Sequence, residues 1–172
     1  IGGWWDPHLS GILDLYKKAK QAGGFPELHI GPATHLQWWE GAQQLLLDFF
    51  NLHLQSSENL IANVPKQNLW NQTSNAWQLS TKTIDRSLKW GLISKGGAAC
   101  IDSKDGILQP NAVGDGWVNI VHDPWRPVPS IGGHLSPQPG IADRKTLDER
   151  ADIAIFTSPT LKANLHLEGV PV

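Results

Sequence analysis

The spacing of apolar residues changes character near residue 58, and this change restricts the folds open to the chain more than any other feature. Before it, apolar residues recur at helical spacing between two short strand-like segments. After it, short apolar runs alternate with glycine, proline, asparagine and aspartate, with no long helical pattern. We therefore expect α/β structure over 1–57 followed by all-β structure, a sandwich or jelly roll, over 58–172.

The first part predicts the order strand, helix, strand, helix. Residues 1–5 have the composition of a buried strand, and Asp6-Pro7 favours a helix start with Asp6 as its N-cap. That helix is expected over 8–22 and ends at Gly23-Gly24. A strand, a turn and a second helix are expected over 27–31, 32–35 and 40–54. This alternation indicates a parallel sheet whose partner strands come from outside the chain.

The second part contains six candidate strands bounded by turn residues. They are Asn68–Trp70, Leu88–Ile93, Ile107–Leu108, Trp117–Val121, Ile153–Thr157 and Leu165–Glu168. The proline-rich stretch Asp123–Pro139 is expected to be an ordered loop packed by Trp125.

Composition excludes several classes of protein. The 172 residues carry a net charge of −2, which argues against a strongly basic nucleic-acid binder, and no apolar run is long enough for a transmembrane helix. The single cysteine, Cys100, excludes an internal disulfide and a cysteine-cluster zinc site, and it favours a cytoplasmic location only weakly. Methionine is absent even at position 1, so we expect a processed product or a piece of a longer protein.

Two polar residues, Asp6 and His35, follow the two strands of the first part. Functional side chains collect at the carboxyl ends of strands in open α/β sheets. An aspartate followed by a histidine matches the last two members of the order Ser…Asp…His in α/β-hydrolases. The alternatives are that Asp6 only caps a helix and that His35 is an ordinary loop residue.

The sequences around these two residues resemble motifs of the cocaine esterase/Xaa-Pro dipeptidyl-peptidase family (CocE/NonD-type hydrolases). Gly-Gly-Trp-Trp-Asp at 2–6 is similar to its Gly-Gly-Trp-aromatic-Asp motif, and Gly-Pro-Ala-Thr-His at 31–35 to its Gly-Pro-x-x-His motif. The family often has tryptophan where Ala33 stands. The segments at 123–133 and 148–157 also resemble the start of its C-terminal jelly roll.

The resemblance implies the C-terminal portion of an α/β-hydrolase fold followed by an incomplete jelly roll. It implies a serine hydrolase that cleaves ester or amide bonds, Xaa-Pro dipeptidyl bonds among them, through an acyl-enzyme. Asp6 would orient His35, and His35 would act as general base and acid. None of the five residues before Asp6 is serine, so the nucleophile and oxyanion hole are expected upstream, and this chain alone is expected to be inactive.

No cofactor and no metal are expected, because the seven histidines include no helical His-x-x-x-His pair beside a carboxylate. The expected partners are a small ester, amide or peptide substrate and the upstream half of the same protein, with neither nucleic acid nor membrane. An oligomer is left open. The nine tryptophans suggest an alternative function, in which a tryptophan-rich β-sandwich binds a sugar or a peptide.

Overall fold

The computed structural model describes residues 1–55, 67–79, 89–99, 102, 104–114 and 116–165. The chain divides into two compact units. The first comprises Ile1–Ile84 and Ser130–Asp143, and the second comprises Asp85–Pro129 and Arg144–Val172. The domain boundary predicted between residues 57 and 58 falls in the segment 56–66, outside the described residues, and it stays a prediction.

The first unit contains a four-stranded mixed sheet and two helices. In chain order its elements are β1 (Gly2–Trp5), α1 (Leu9–Gln21), β2 (Leu28–Thr34), α2 (Ala42–Leu54), β3 (Gln67–Asn71) and β4 (Ala76–Leu79). The strands lie in the order β1-β2-β3-β4. The β1–β2 and β2–β3 pairs are parallel, whereas β3 and β4 are antiparallel. The strand–helix alternation predicted for this part is therefore present. The predicted strand at Asn68–Trp70, expected in the β-rich part, is β3 of this sheet, so the expectation that the partner strands come from outside the chain is wrong for β3 and β4.

Helix α1 packs against the sheet at Gly2, the position where strand β1 carries no side chain. Gly2 pairs with Ile30, which is fully buried. A Cβ at Gly2 would lie 2.9 Å from Cδ1 of Ile30 and 3.0 Å from Cδ1 of Ile12 in α1. Further along, the side-chain amide of Gln67 donates to the hydroxyl of Tyr16 at 2.9 Å. The absence of a side chain at Gly2 thus lets Ile12 of α1 approach strand β1 closely.

Two local predictions for this unit were wrong. Helix α1 begins at Leu9 with His8 as its N-cap residue, so Asp6 does not cap it. Strand β2 runs through the predicted turn to Thr34, because a bulge changes the pairing from Gly3↔Gly31 to Trp5↔Thr34. The bulge places one extra residue in β2, and the ladder therefore continues to the residue before His35.

Strand β4 was not predicted, and a side-chain turn explains it. The Asn71 side-chain oxygen accepts the backbone N–H groups of Thr73 and Ser74, each at 2.9 Å. Asn75 has a φ of 49°, a left-handed conformation that asparagine tolerates. The chain therefore reverses directly after β3, and Trp77 pairs with Trp70 across the hairpin.

The second unit contains the antiparallel pair β5 (Trp90–Ile93) and β6 (Ile107–Pro110). The loop between them is closed by Asp105, whose carboxylate accepts the Ser94 hydroxyl at 2.6 Å and the backbone N–H groups of Lys95 and Gly97 at 2.9 and 2.8 Å. The predicted strand Ile107–Leu108 lies within β6, and the predicted strand Leu88–Ile93 overlaps β5 over Trp90–Ile93.

Other predictions for the β-rich part were wrong. No strand forms over 117–121 or 153–157, where single contacts such as the Ile107↔Thr157 bridge replace a ladder. Trp125 is 93% exposed and does not pack the proline-rich loop. Asp123 instead holds a tight turn there by accepting the N–H of Trp125 and the Arg126 guanidinium. The predicted strand at 165–168 lies almost wholly outside the described residues.

The two α-helices have 13 residues each. Neither has the length and apolar character that crossing a bilayer requires, and the described ranges hold no other such helix.

Candidate active site

Asp6 and His35 lie at the same edge of the sheet. Asp6 directly follows β1, and His35 directly follows β2. These strands are adjacent and parallel, so their carboxyl ends meet at one edge. The bulge brings Trp5 opposite Thr34, and the next residue of each strand is therefore one of the two predicted site residues.

The Asp6 carboxylate is buried and fixed in place. Its side chain is 4% exposed. Oδ1 accepts the backbone N–H of His8 at 2.8 Å, and the Asp6 carbonyl accepts the N–H of Leu9 at 3.1 Å. Asp6 therefore joins the strand to the helix through a side-chain turn that sets the direction of its carboxylate.

The His35 imidazole faces that carboxylate from the solvent side. Nδ1 of His35 lies 3.4 Å from Oδ1 of Asp6, and the imidazole side chain is 55% exposed. The loop that carries the imidazole is closed by Thr34 and Gln37, which exchange a backbone hydrogen bond of 2.9 Å and a side-chain one of 3.1 Å. One ring nitrogen is thus directed at a buried anion while the ring stays open to a reacting group.

His8 is the third member of this cluster, and sequence reasoning missed it. Its ring lies edge-on to that of His35, with ring centroids 4.8 Å apart and an interplanar angle of 62°. One ligand atom from each of Asp6, His8 and His35 lies within 4.8 Å of the other two. The available signal is the Asp-Pro-His spacing at a helix start, which the pattern of histidine pairs within one helix does not include.

The tryptophans near this edge contact one another and the sheet. Trp39 packs against Gly31, and a Cβ at Gly31 would lie 2.2 Å from its indole ring. Trp39 also meets Trp77, which meets Trp70, with ring centroids 5.2 and 5.5 Å apart. The indole N–H of Trp4 donates to the carbonyl of Trp70 at 2.7 Å. These indoles therefore pack within the unit.

Comparison with known proteins gives one distant relation. No protein-family model matches the chain. The chain is similar to cocaine esterase of Rhodococcus sp. (strain MB1 Bresler), with 27% identity over 189 aligned residues that cover 97% of this chain and 33% of that protein. The chain thus spans about a third of the length of the curated relative that it matches. This similarity supports a distant relationship to a hydrolase.

Proposed function

We propose that this chain supplies the aspartate and the histidine of a Ser-His-Asp triad in a serine hydrolase. The chain would then form the C-terminal portion of an α/β-hydrolase domain followed by part of a jelly roll. The observation that carries the proposal is the pair Asp6–His35, a buried carboxylate at the end of one strand facing an exposed imidazole at the end of the next. The distant similarity to an esterase points to the same chemistry.

The two side chains have the charges and positions that the reaction needs. The Asp6 carboxylate accepts a hydrogen bond from the Nδ1–H group of His35, and this fixes the neutral tautomer whose Nε2 is a free base. Nε2 removes the hydroxyl proton as serine Oγ attacks the carbonyl carbon of an ester or amide. The imidazolium that forms is stabilised by the Asp6 anion and returns the proton to the leaving alcohol or amine. Water then repeats the sequence and releases the acid.

The contact of 3.4 Å is longer than a formed N–H···O hydrogen bond, for which about 2.7–3.2 Å is usual. Catalytic hydrogen bonds are often long without substrate and shorten when the reacting groups are in place. Burial of Asp6 favours a strong interaction once the imidazole is charged, because bulk water does not screen it fully.

The nucleophile and the oxyanion hole belong, in this proposal, to sequence that precedes Ile1. The order Ser…Asp…His of α/β-hydrolases puts the serine before Asp6, where residues 1–5 hold none. The substrate is a small ester, amide or peptide, and Xaa-Pro dipeptides are one candidate class. The upstream half of the same protein is accordingly the partner that completes the site.

A fluorophosphonate probe, which reacts only with an activated serine, tests the proposal by intact mass. The 172-residue chain is expected to gain no adduct, and a protein extended by the upstream segment is expected to gain one. His35→Ala in the extended protein should slow labelling by about 10³-fold or more, whereas His122→Ala, an exposed histidine of the other unit, should not. An adduct on the short chain, or unchanged labelling of His35→Ala, would contradict the proposal.

The alternative function is the binding of a sugar or a peptide by tryptophans, and it requires indole rings that are exposed to solvent. Trp117 and Trp125 are 80% and 93% exposed and are its candidates. Titration of tryptophan fluorescence with sugars and peptides tests it, and a saturable response lost in a Trp117→Ala/Trp125→Ala variant would favour it. We rank it second because it gives no role to Asp6 and His35.

A further inference from the structure

We propose that Asp6, His8 and His35 form a binding site for a zinc ion, and that zinc bound there blocks His35 as a base. The three residues offer one carboxylate and two imidazoles within 4.8 Å of one another. Zinc is bound in proteins by these ligand types, and three protein ligands with an open fourth position are common. The binding part stands by itself, and the blocking part rests on the proposed function.

The distances between the ligand atoms of these three residues allow zinc binding after small side-chain movements. Zinc lies at about 2.0–2.1 Å from imidazole nitrogen and about 2.0–2.2 Å from carboxylate oxygen, so tetrahedral neighbours are about 3.4 Å apart. Oδ1 of Asp6 and Nδ1 of His35 already have this separation, at 3.4 Å. Only His8 must move, and His8 is exposed, so its side chain can turn toward the other two.

The surroundings prepare Asp6 as the anchor of such a site. The carboxylate is buried and held by the backbone N–H of His8, so it is already positioned when the ion arrives. That same hydrogen bond ties His8 to Asp6, and the His8 ring already contacts the His35 ring at a centroid distance of 4.8 Å. Two of the three ligands thus come from a single three-residue segment, Asp6-Pro7-His8, and little chain ordering is needed on binding.

Zinc at this position would change the protonation of His35 in a defined way. The ion takes the lone pair of Nδ1, and the proton that Nδ1 carried moves through solvent to Nε2. A neutral imidazole has one N–H and one acceptor nitrogen. With Nδ1 bonded to zinc and Nε2 protonated, no nitrogen is left to accept the serine proton. Inhibition therefore follows from the ligand geometry and requires no contact between zinc and substrate.

Binding is tested on the 172-residue chain with Zn²⁺ and a chromogenic zinc chelator in competition, which requires no enzymatic activity. We expect one zinc per chain and a loss of affinity of about tenfold or more in His8→Ala and in His35→Ala, since even residues that only support metal ligands cost 10–100-fold. His122→Ala is the matched control and should bind as the parent does. Equal affinity in all four proteins, or no binding, would overturn the site.

A second measurement separates this proposal from the proposed function. Cobalt(II) in place of zinc gives a visible absorption spectrum that depends on its ligands, and we expect this spectrum to change in His8→Gln. In the active, extended protein, zinc should inhibit ester hydrolysis reversibly, with weaker inhibition in His8→Gln. Binding without inhibition would refute the blocking role alone. Activity retained in His35→Ala would refute the triad while leaving zinc binding intact.

Discussion

Trp39 lies on the bare α-carbon of Gly31, so close that a methyl group there would be 2.2 Å from the indole Cε3 atom. Gly31 is four residues before His35 and Trp39 four residues after it, and the contact therefore closes the segment that carries the imidazole. The glycine of the Gly-Pro-Ala-Thr-His segment thus has a packing role that is separate from any chemistry.

Gly31→Ala is expected to displace Trp39 and lower the thermal midpoint, because overfilling a packed site typically costs about 1–3 kcal/mol. Emission of tryptophan fluorescence should shift to longer wavelength as the indole is exposed. Gly11→Ala is the matched control, since nothing lies within 4 Å of a Cβ at that helical position. It should stabilise the protein by about 0.5–1 kcal/mol. Equal midpoints for both variants would show that the contact is not tight.

Asp6→Asn separates the turn role of this residue from its electrostatic role. The amide oxygen can still accept the N–H of His8, so the thermal midpoint should change little, whereas Asp6→Ala should lower it. In the extended, active protein, Asp6→Asn should lower kcat by about 10⁴-fold, because an amide does not hold the required tautomer or stabilise imidazolium. A loss of activity no larger than tenfold would argue against the triad.

Asp105 makes the second unit sensitive to acid. The Ser94 hydroxyl, followed by the backbone N–H groups of Gly97 and Lys95, holds the pKa of this carboxyl below its usual range. A carboxyl with a lowered folded pKa stabilises the protein above its unfolded pKa of about 3.9, and this contribution is lost as the pH falls through the folded pKa. Asp105→Asn should therefore lower the thermal midpoint at pH 7, and the difference from the parent should shrink below about pH 4.

Asp14→Asn provides the control for that measurement. Asp14 pairs with Lys18 at 2.6 Å on the exposed face of α1, where ion pairs contribute little. The thermal midpoint of the Asp14→Asn variant should equal that of the parent protein at each pH. A constant difference between Asp105→Asn and the parent from pH 7 to pH 2 would contradict the assigned role of the carboxylate.

Arg150 secures the proline-rich segment of the second unit. Its guanidinium binds both oxygens of Asp152, at 2.8 and 2.5 Å, and donates to the carbonyl of Arg126 at 3.0 Å. Arg150→Gln removes these contacts, so local opening should become easier and chymotrypsin should cut after Trp125 several-fold faster. Lys162→Gln, on an exposed loop, should leave that rate unchanged. Mass spectrometry of the fragments measures both rates.

The sequence predicts the proximity of Asp6 and His35 correctly, whereas it predicts the strands of the second unit less well. Asp6 and His35 were placed together because parallel strands of alternating α/β structure end at one edge, and the structure brings them to 3.4 Å. Their catalytic role stays a prediction. His8 was missed because its proximity to His35 depends on the bulge and the turn at Asp6, which combine contacts distant in sequence.

The errors in the β-rich part have a common physical cause. Apolar runs such as 117–121 have strand composition, but a strand forms only where a neighbouring strand accepts its hydrogen bonds, and composition does not identify that neighbour. Strand β4 is the opposite case, a strand that forms although the apolar pattern did not predict it. Its hairpin depends on the side-chain oxygen of Asn71 accepting two backbone N–H groups, a contact that periodicity does not reveal.

The inclined indoles of Trp39, Trp70 and Trp77 have an optical consequence. Their ring centroids lie 5.2 and 5.5 Å apart at interplanar angles of 65° and 81°, close enough for their electronic transitions to couple. Coupled transitions give paired circular-dichroism bands of opposite sign in the far ultraviolet, where helices and strands also absorb. Helix content derived from such a spectrum will therefore be distorted for this protein, while loss of the paired bands will record when β3 and β4 separate.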